Sequence, residues 1–124
     1  MKKKILIVED EKDPKRFLEI LLNESGYETA TAGDGKEAFE MVKSFKPDAI
    51  TLDIIMPEES GVKFYRDLKK DDQYANLPVI IITGVPRYRD LFKRDYATMP
   101  KPFAFIEKPI EGEVLVEKIR EAVG

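Results

Sequence analysis

The run Ala49-Ile50-Thr51-Leu52-Asp53-Ile54-Ile55-Met56-Pro57 constrains this chain more than any other stretch. It is a short apolar segment with one carboxylate, Asp53, and it is closed by a proline. A buried parallel strand has this form when it delivers a single polar residue to its C-terminal mouth. A carboxylate among Ile, Leu and Met is costly to bury, so Asp53 must meet a cation, a donor or water at the strand end. Three other apolar runs end on polar residues. Lys4 to Val8 leads into Glu9-Asp10-Glu11, Leu77 to Ile82 ends at Thr83-Gly84, and Phe103 to Ile106 leads into Glu107-Lys108-Pro109. Laid side by side as parallel strands, these runs bring acids, a hydroxyl and an ammonium to one edge. Open α/β sheets bind ligands at that edge.

The segments between the strands carry helical signals. After the first strand, Asp13 can N-cap and Pro14 can open a helix that places Phe17, Leu18, Leu21 and Leu22 inward, with Gly26 as its left-handed stop. Tyr27 to Ala32 alternates weakly, as an outer strand does. Gly33-Asp34-Gly35 starts a second helix with Ala38, Phe39 and Val42 inside and Pro47 beyond its end. Glu58 to Gly61 opens a third, with Val62, Tyr65 and Leu68 inward, fading into the polar stretch from Lys69 to Asn76. Tyr88, Leu91 and Phe92 are spaced for a short helix from Arg87 to Asp95. The prolines at 100 and 102 exclude a helix there. A last helix runs from Glu111 to Val123 with Val114, Leu115, Ile119 and Val123 on one side. The fold expected is α/β, a doubly wound five-stranded parallel sheet in a single domain over residues 1–124.

Composition removes several chemistries. The 124 residues contain no Cys and no His, so disulfides, thiolate catalysis, imidazole bases and most zinc sites are excluded. The apolar segment after Lys2-Lys3-Lys4 is too short for a signal peptide, and no run reaches membrane-spanning length. A cytoplasmic protein without membrane contact is expected. The net charge of −3 disfavours direct nucleic-acid binding.

Five motifs in order, Val8-Glu9-Asp10-Glu11, Asp53 with Met56-Pro57, Gly61, Ile81-Ile82-Thr83-Gly84 and Glu107-Lys108-Pro109, resemble the receiver domain of two-component response regulators. The resemblance covers nearly the whole chain. It implies a flavodoxin-like fold with strand order 2-1-3-4-5 and a site between strands one and three. It further implies that Asp53 takes a phosphoryl group from a histidine kinase or phosphotransfer protein. Asp10, Asp53 and the carbonyl of Ile55 would hold Mg²⁺, with Glu9 in an outer role. Lys108 and Thr83 would bind the phosphoryl oxygens. Thr83 and Phe105 would form the switch that alters a surface for a downstream protein partner. A cis peptide at Lys108-Pro109 also follows from the resemblance. On this reading the chain is no enzyme in the ordinary sense, only a phosphoacceptor that assists its own phosphorylation and dephosphorylation.

The chain departs from the receiver pattern in two places. Ile55 and Val85, two residues beyond Asp53 and Thr83, are aliphatic where relatives often carry polar groups that position the hydrolytic water. A slowly hydrolysing aspartyl phosphate is therefore expected. The stretch from Val85 to Pro102 is longer than usual and interleaves Arg87, Arg89, Lys93, Arg94 and Lys101 with Tyr88, Phe92 and Tyr96, which makes the fourth helix region atypical. It reads either as a solvated irregular segment or as a remodelled partner surface. Two alternatives remain beside the principal reading. The chain could be the phosphoacceptor module of a larger regulator or hybrid kinase. A phosphohydrolase of the haloacid dehalogenase type also uses a strand-end Asp, but it expects a second Asp where Ile55 stands.

Overall fold

The computed structural model describes residues 1–57, 60–84 and 100–124. The expected helix from Arg87 to Asp95, the basic and aromatic segment around it, Val85, and the Glu58-Glu59 start of the third helix lie outside the described residues.

Five strands form one parallel sheet in the order β2-β1-β3-β4-β5, with β1 Lys4–Val8, β2 Glu28–Ala32, β3 Ala49–Asp53, β4 Val79–Thr83 and β5 Ala104–Glu107. Register aligns the strand ends that carry the polar residues: Val8 lies opposite Leu52, Asp53 opposite Ile82, and Thr83 opposite Glu107. Every residue of β3 and β4 is buried, because helices cover both faces of the sheet. The described residues hold four helices, α1 Lys12–Glu24, α2 Gly35–Phe45, α3 Ser60–Lys70 and α4 Gly112–Val123. Ala38 and Val42 of α2 and Val62, Phe64, Tyr65 and Leu68 of α3 pack with Leu6, Ile50, Leu52 and Ile81. On the opposite face Leu18 and Leu22 of α1 and Leu115 and Ile119 of α4 pack with Ile5, Ile7, Ile80 and Ile82. The architecture is the expected doubly wound, flavodoxin-like sheet.

The helix ends follow local chemistry, with one correction. Helix α1 begins at Lys12 with Glu11 as N-cap, so Asp13 does not cap it and Pro14 occupies its third position. Proline is tolerated there because the N–H groups of the first turn have no intrahelical acceptor. At the other end Gly26 takes φ 96°, and the N–H groups of Gly26 and Tyr27 close on the carbonyls of Asn23 and Leu22. Asp34 N-caps α2, accepting from the Glu37 N–H at 2.8 Å. Strands β4 and β5 begin one or two residues later than their apolar runs and extend onto Thr83 and Glu107. Their backbone ladders continue through these polar ends, which hydrophobicity does not register.

Two residues expected inside are largely exposed. Phe17 retains 46% of its accessible surface and Val114 retains 44%. Each sits one position before a buried leucine, Leu18 or Leu115, and is turned about 100° off the buried stripe.

Candidate functional site

Strand β3 carries Asp53 to the C-terminal edge of the sheet, and the neighbouring elements converge on it. Both oxygens of its buried carboxylate are engaged. Oδ1 accepts the N–H of Ile55 at 2.9 Å, and Oδ2 accepts from the Lys108 ammonium at 3.1 Å. Lys108 follows β5, and its own N–H donates to the Thr83 carbonyl at 2.9 Å. The backbone of β4 thus fixes the residue that delivers the ammonium. Glu9 follows β1 with its N–H on the Ala32 carbonyl, and it is buried although a triplet of acids reads as a solvated loop. Its Oε2 accepts from the Glu11 N–H at 3.0 Å, while Oε1 lies 3.7 Å from Lys108 Nζ.

One carboxylate oxygen from each of Glu9, Asp10 and Asp53 lies within 4.8 Å of the others, with Asp10 the exposed member. Three carboxylates this close repel each other strongly. Burial pushes the Glu9 carboxyl up to about 7, the Glu11 N–H pulls the other way, and the hydrogen bond and charge of Asp53 reinforce the rise. Lys108 offsets only part of it. For Lys108 itself burial acts to lower the pKa, but the hydrogen bond to Asp53 and the charges of Asp53, Glu9 and Glu11 prevail and raise it. The charge of Lys108 thus does not outweigh the burial of Glu9. An all-oxygen donor set of this kind suits a hard divalent cation such as Mg²⁺.

Of the residues singled out in the sequence, Glu9, Asp10, Asp53 and Lys108 come together directly. Ile55 lies beside Asp53 with its amide on the carboxylate and its side chain 40% exposed. Thr83 is buried at the end of β4. Phe105, opposite Ile81 in register, is half-buried and packs against the cluster that holds α2 and α3. The Lys108-Pro109 peptide is cis, as expected.

The packing role of two glycines was not legible in the sequence. A Cβ on Gly61 would stand 2.8 Å from the Ile54 carbonyl oxygen and 2.9 Å from that of Asp53. A Cβ on Gly35 would stand 2.7 Å from the Ser60 carbonyl oxygen. The first turns of α2 and α3 are thereby locked onto each other and onto the strand end that carries Asp53. A cleft of about 770 Å³ opens beside them, lined by Asp10, Lys36, Phe39, Ser60, Lys63 and Phe64 among others.

Comparison with known proteins agrees with this arrangement. The response regulator receiver domain model matches residues 5–120. The polar-differentiation response regulator DivK of Brucella anthropi is 33% identical over 124 residues, spanning 100% of this chain and 98% of that protein. Among solved structures, the receiver domain of a signal transduction histidine kinase from Syntrophus aciditrophicus superposes with a TM-score of 0.85 at 31% identity, covering 98% of this chain and 89% of that one. A chemotaxis protein of Vibrio cholerae gives a TM-score of 0.85 at 25% identity, with 98% and 99% covered. No helix among the described residues is long and apolar enough to cross a membrane. With a doubly wound sheet, an acidic trio at its C-terminal edge and a lysine held against the central aspartate, the chain belongs to the response regulator receiver domain family.

Proposed function

We propose that Asp53 is the phosphoacceptor of a signalling switch, and that a histidine kinase or phosphotransfer protein is the donor. The observation that carries this reading is the Lys108 ammonium 3.1 Å from Asp53 Oδ2, beside three converging carboxylates. In the transfer a carboxylate oxygen of Asp53 forms a bond to phosphorus. The bond from phosphorus to the donor's nitrogen or oxygen breaks, and the leaving group departs with the electron pair. Asp10, Asp53 and the Ile55 carbonyl would hold Mg²⁺, with Glu9 in support. Bound there, the ion neutralises the acids and the phosphoryl oxygens. Lys108 anchors a phosphoryl oxygen as its bond to Oδ2 is exchanged for one to the new anion. The Ile55 amide keeps the attacking carboxylate oriented.

Thr83, at the end of β4, then donates to the phosphoryl group, and Phe105 turns into the space released. The β4 and β5 surface changes for a downstream protein. The aliphatic Ile55 offers no polar group to hydrolytic water, which supports a long-lived phosphoryl state. Because the receiver from Syntrophus aciditrophicus comes from a histidine kinase, work as a module of a larger regulator fits the same site.

The deciding experiment follows intact mass after incubation with Mg²⁺ and acetyl phosphate, for the wild type and for Asp53→Asn. A phosphoryl adduct on the wild type alone is expected. An adduct on both proteins, or on neither with Mg²⁺ present, would overturn the assignment.

A further inference from the structure

Helix α3 presents Gly61, Tyr65 and Lys69 at intervals of four residues, which stack on one helical face over about 12 Å. Each of the three fastens a different part of the sheet. Gly61 lies against the carbonyls of Ile54 and Asp53 so closely that no methyl group fits between, so the contact has no slack. Tyr65, one turn on, is fully buried and donates its hydroxyl to the Pro100 carbonyl at 2.5 Å. Pro100 lies three residues before Phe103, whose N–H bonds to Val79 as the chain turns into β5. Lys69, one turn further, donates to the Ala75 carbonyl at 3.2 Å and to that of Leu77, with its ammonium 5.9 Å from the Tyr65 ring centroid. Leu77 and Pro78 lead into β4. Among the described residues no ion pair competes for this ammonium, and its burial lowers its pKa. The end of α3 is thus a clamp within a stretch that the sequence marks only as polar.

We propose that α3 is a strut that couples the Asp53 end of β3 to the starts of β4 and β5 through this Gly61, Tyr65 and Lys69 stripe. In its regulatory sense the inference rests on Asp53 being the phosphoacceptor. A displacement of the Asp53 to Ile55 backbone is transmitted through Gly61 to the axis of α3. The Tyr65 hydroxyl then passes it to Pro100 and so to the strand that carries Phe105. This route reaches Phe105 from the bottom of β5, while the Thr83 route reaches it from the top. Two-ended control of one short strand makes its position respond as a unit, because packed elements shift between discrete arrangements.

Amide-resolved NMR tests the strut without phosphorylation. Tyr65→Phe keeps the ring and removes only the donor. It is expected to raise hydrogen exchange of the Phe103 amide at least tenfold while β1 amides stay unchanged, and Lys69→Met is expected to do the same at Val79. Gly61→Ala should move the Phe103 to Glu107 resonances, and that movement should fall by at least half in the Tyr65→Phe background. Unchanged exchange at Phe103, or equal movement of β5 in both backgrounds, would overturn the proposal. Should Gly61→Ala not fold, the exchange measurements on the other two variants decide. Adding beryllofluoride with Mg²⁺ tests the regulatory sense. In Tyr65→Phe the shifts at Asp53 and Ile55 should persist while those of β5 fall by half or more, and a full β5 response would count against the strut. Absence of any shift at Asp53 in the wild type would instead sink the phosphoacceptor reading, leaving the exchange results to judge the strut by themselves.

Discussion

The Lys108 ammonium stands 3.1 Å from Oδ2 of Asp53, across 55 residues of chain, and 3.7 Å from Oε1 of Glu9. One cation thus faces two buried carboxylates while its own side chain stays 32% exposed. That placement lets the ammonium change partners without leaving its position.

Lys108→Met separates anchoring of an anion from binding of a cation. Phosphorylation by acetyl phosphate is expected to slow by about 10- to 100-fold, corresponding to roughly 1.5–3 kcal/mol for a charged hydrogen bond. Affinity for Mg²⁺ should not weaken, because a competing positive charge has gone. Intact-mass time courses and calorimetric titration check the two arms, and parallel losses in both would show that the lysine only supports the fold.

The Glu9 carboxyl sets a pH dependence in metal-free protein. Its folded pKa of about 7 lies above the ordinary value of 4.5, so between these limits the folded state holds a proton that the unfolded chain releases. Its contribution is therefore fully present below pH 4.5 and is lost as pH rises toward 7, with a slope of at most about 1.4 kcal/mol per pH unit. Urea denaturation in EDTA across this range should show the decline from Glu9, and Glu9→Gln should remove it. Saturating Mg²⁺ should reverse the trend, since the cation favours the ionised carboxylate.

Thr51 is fully buried in β3, and among the described residues its hydroxyl finds no hydrogen-bond partner. Thr51→Val exchanges that hydroxyl for a methyl group of similar size. The expected change in urea unfolding is a gain of about 1 kcal/mol, from a group whose desolvation is uncompensated. Thr51→Ala, which opens a cavity instead, should lower stability.

Ile55→Asn adds a polar side chain at an exposed position beside Asp53, so it should leave stability within about 0.5 kcal/mol. If the aliphatic side chain protects the aspartyl phosphate, adduct lifetime should shorten by roughly an order of magnitude or more, within the range positioned polar groups contribute. An unchanged decay of the phosphorylated mass would remove this role from Ile55.

The convergence of Glu9, Asp10, Asp53 and Lys108 was legible because each apolar run stops at a polar residue and parallel strands bring those stops to one edge, whereas the strand order followed from the receiver resemblance. What stayed hidden depends on distances through space. The sequence gives no sign that a Cβ on Gly61 would stand 2.9 Å from the Asp53 carbonyl oxygen, since a glycine at a turn looks the same whether it bends or fits. Lys69 reads as surface because its charge is visible and the two carbonyls it satisfies are not. Phe17 and Val114 were assigned inward because periodicity marks a stripe about one residue wider than the core accepts.

The two faces of the sheet differ in the rings they enclose. Phe39, Phe45, Phe64, Tyr65, Tyr74 and Phe105 all pack on the α2 and α3 side, whereas among the described residues only Tyr27 joins the cluster under α1 and α4. The chain has no tryptophan, so its near-ultraviolet dichroism and intrinsic emission arise from tyrosine and phenylalanine. For the described residues these optical signals report chiefly on one layer. Among the described residues, loosening of α1 and α4 would reach them chiefly through Tyr27. Coincident transitions measured by such probes would then certify cooperativity for half the molecule, and a reporter placed on α4 is needed to speak for the other half.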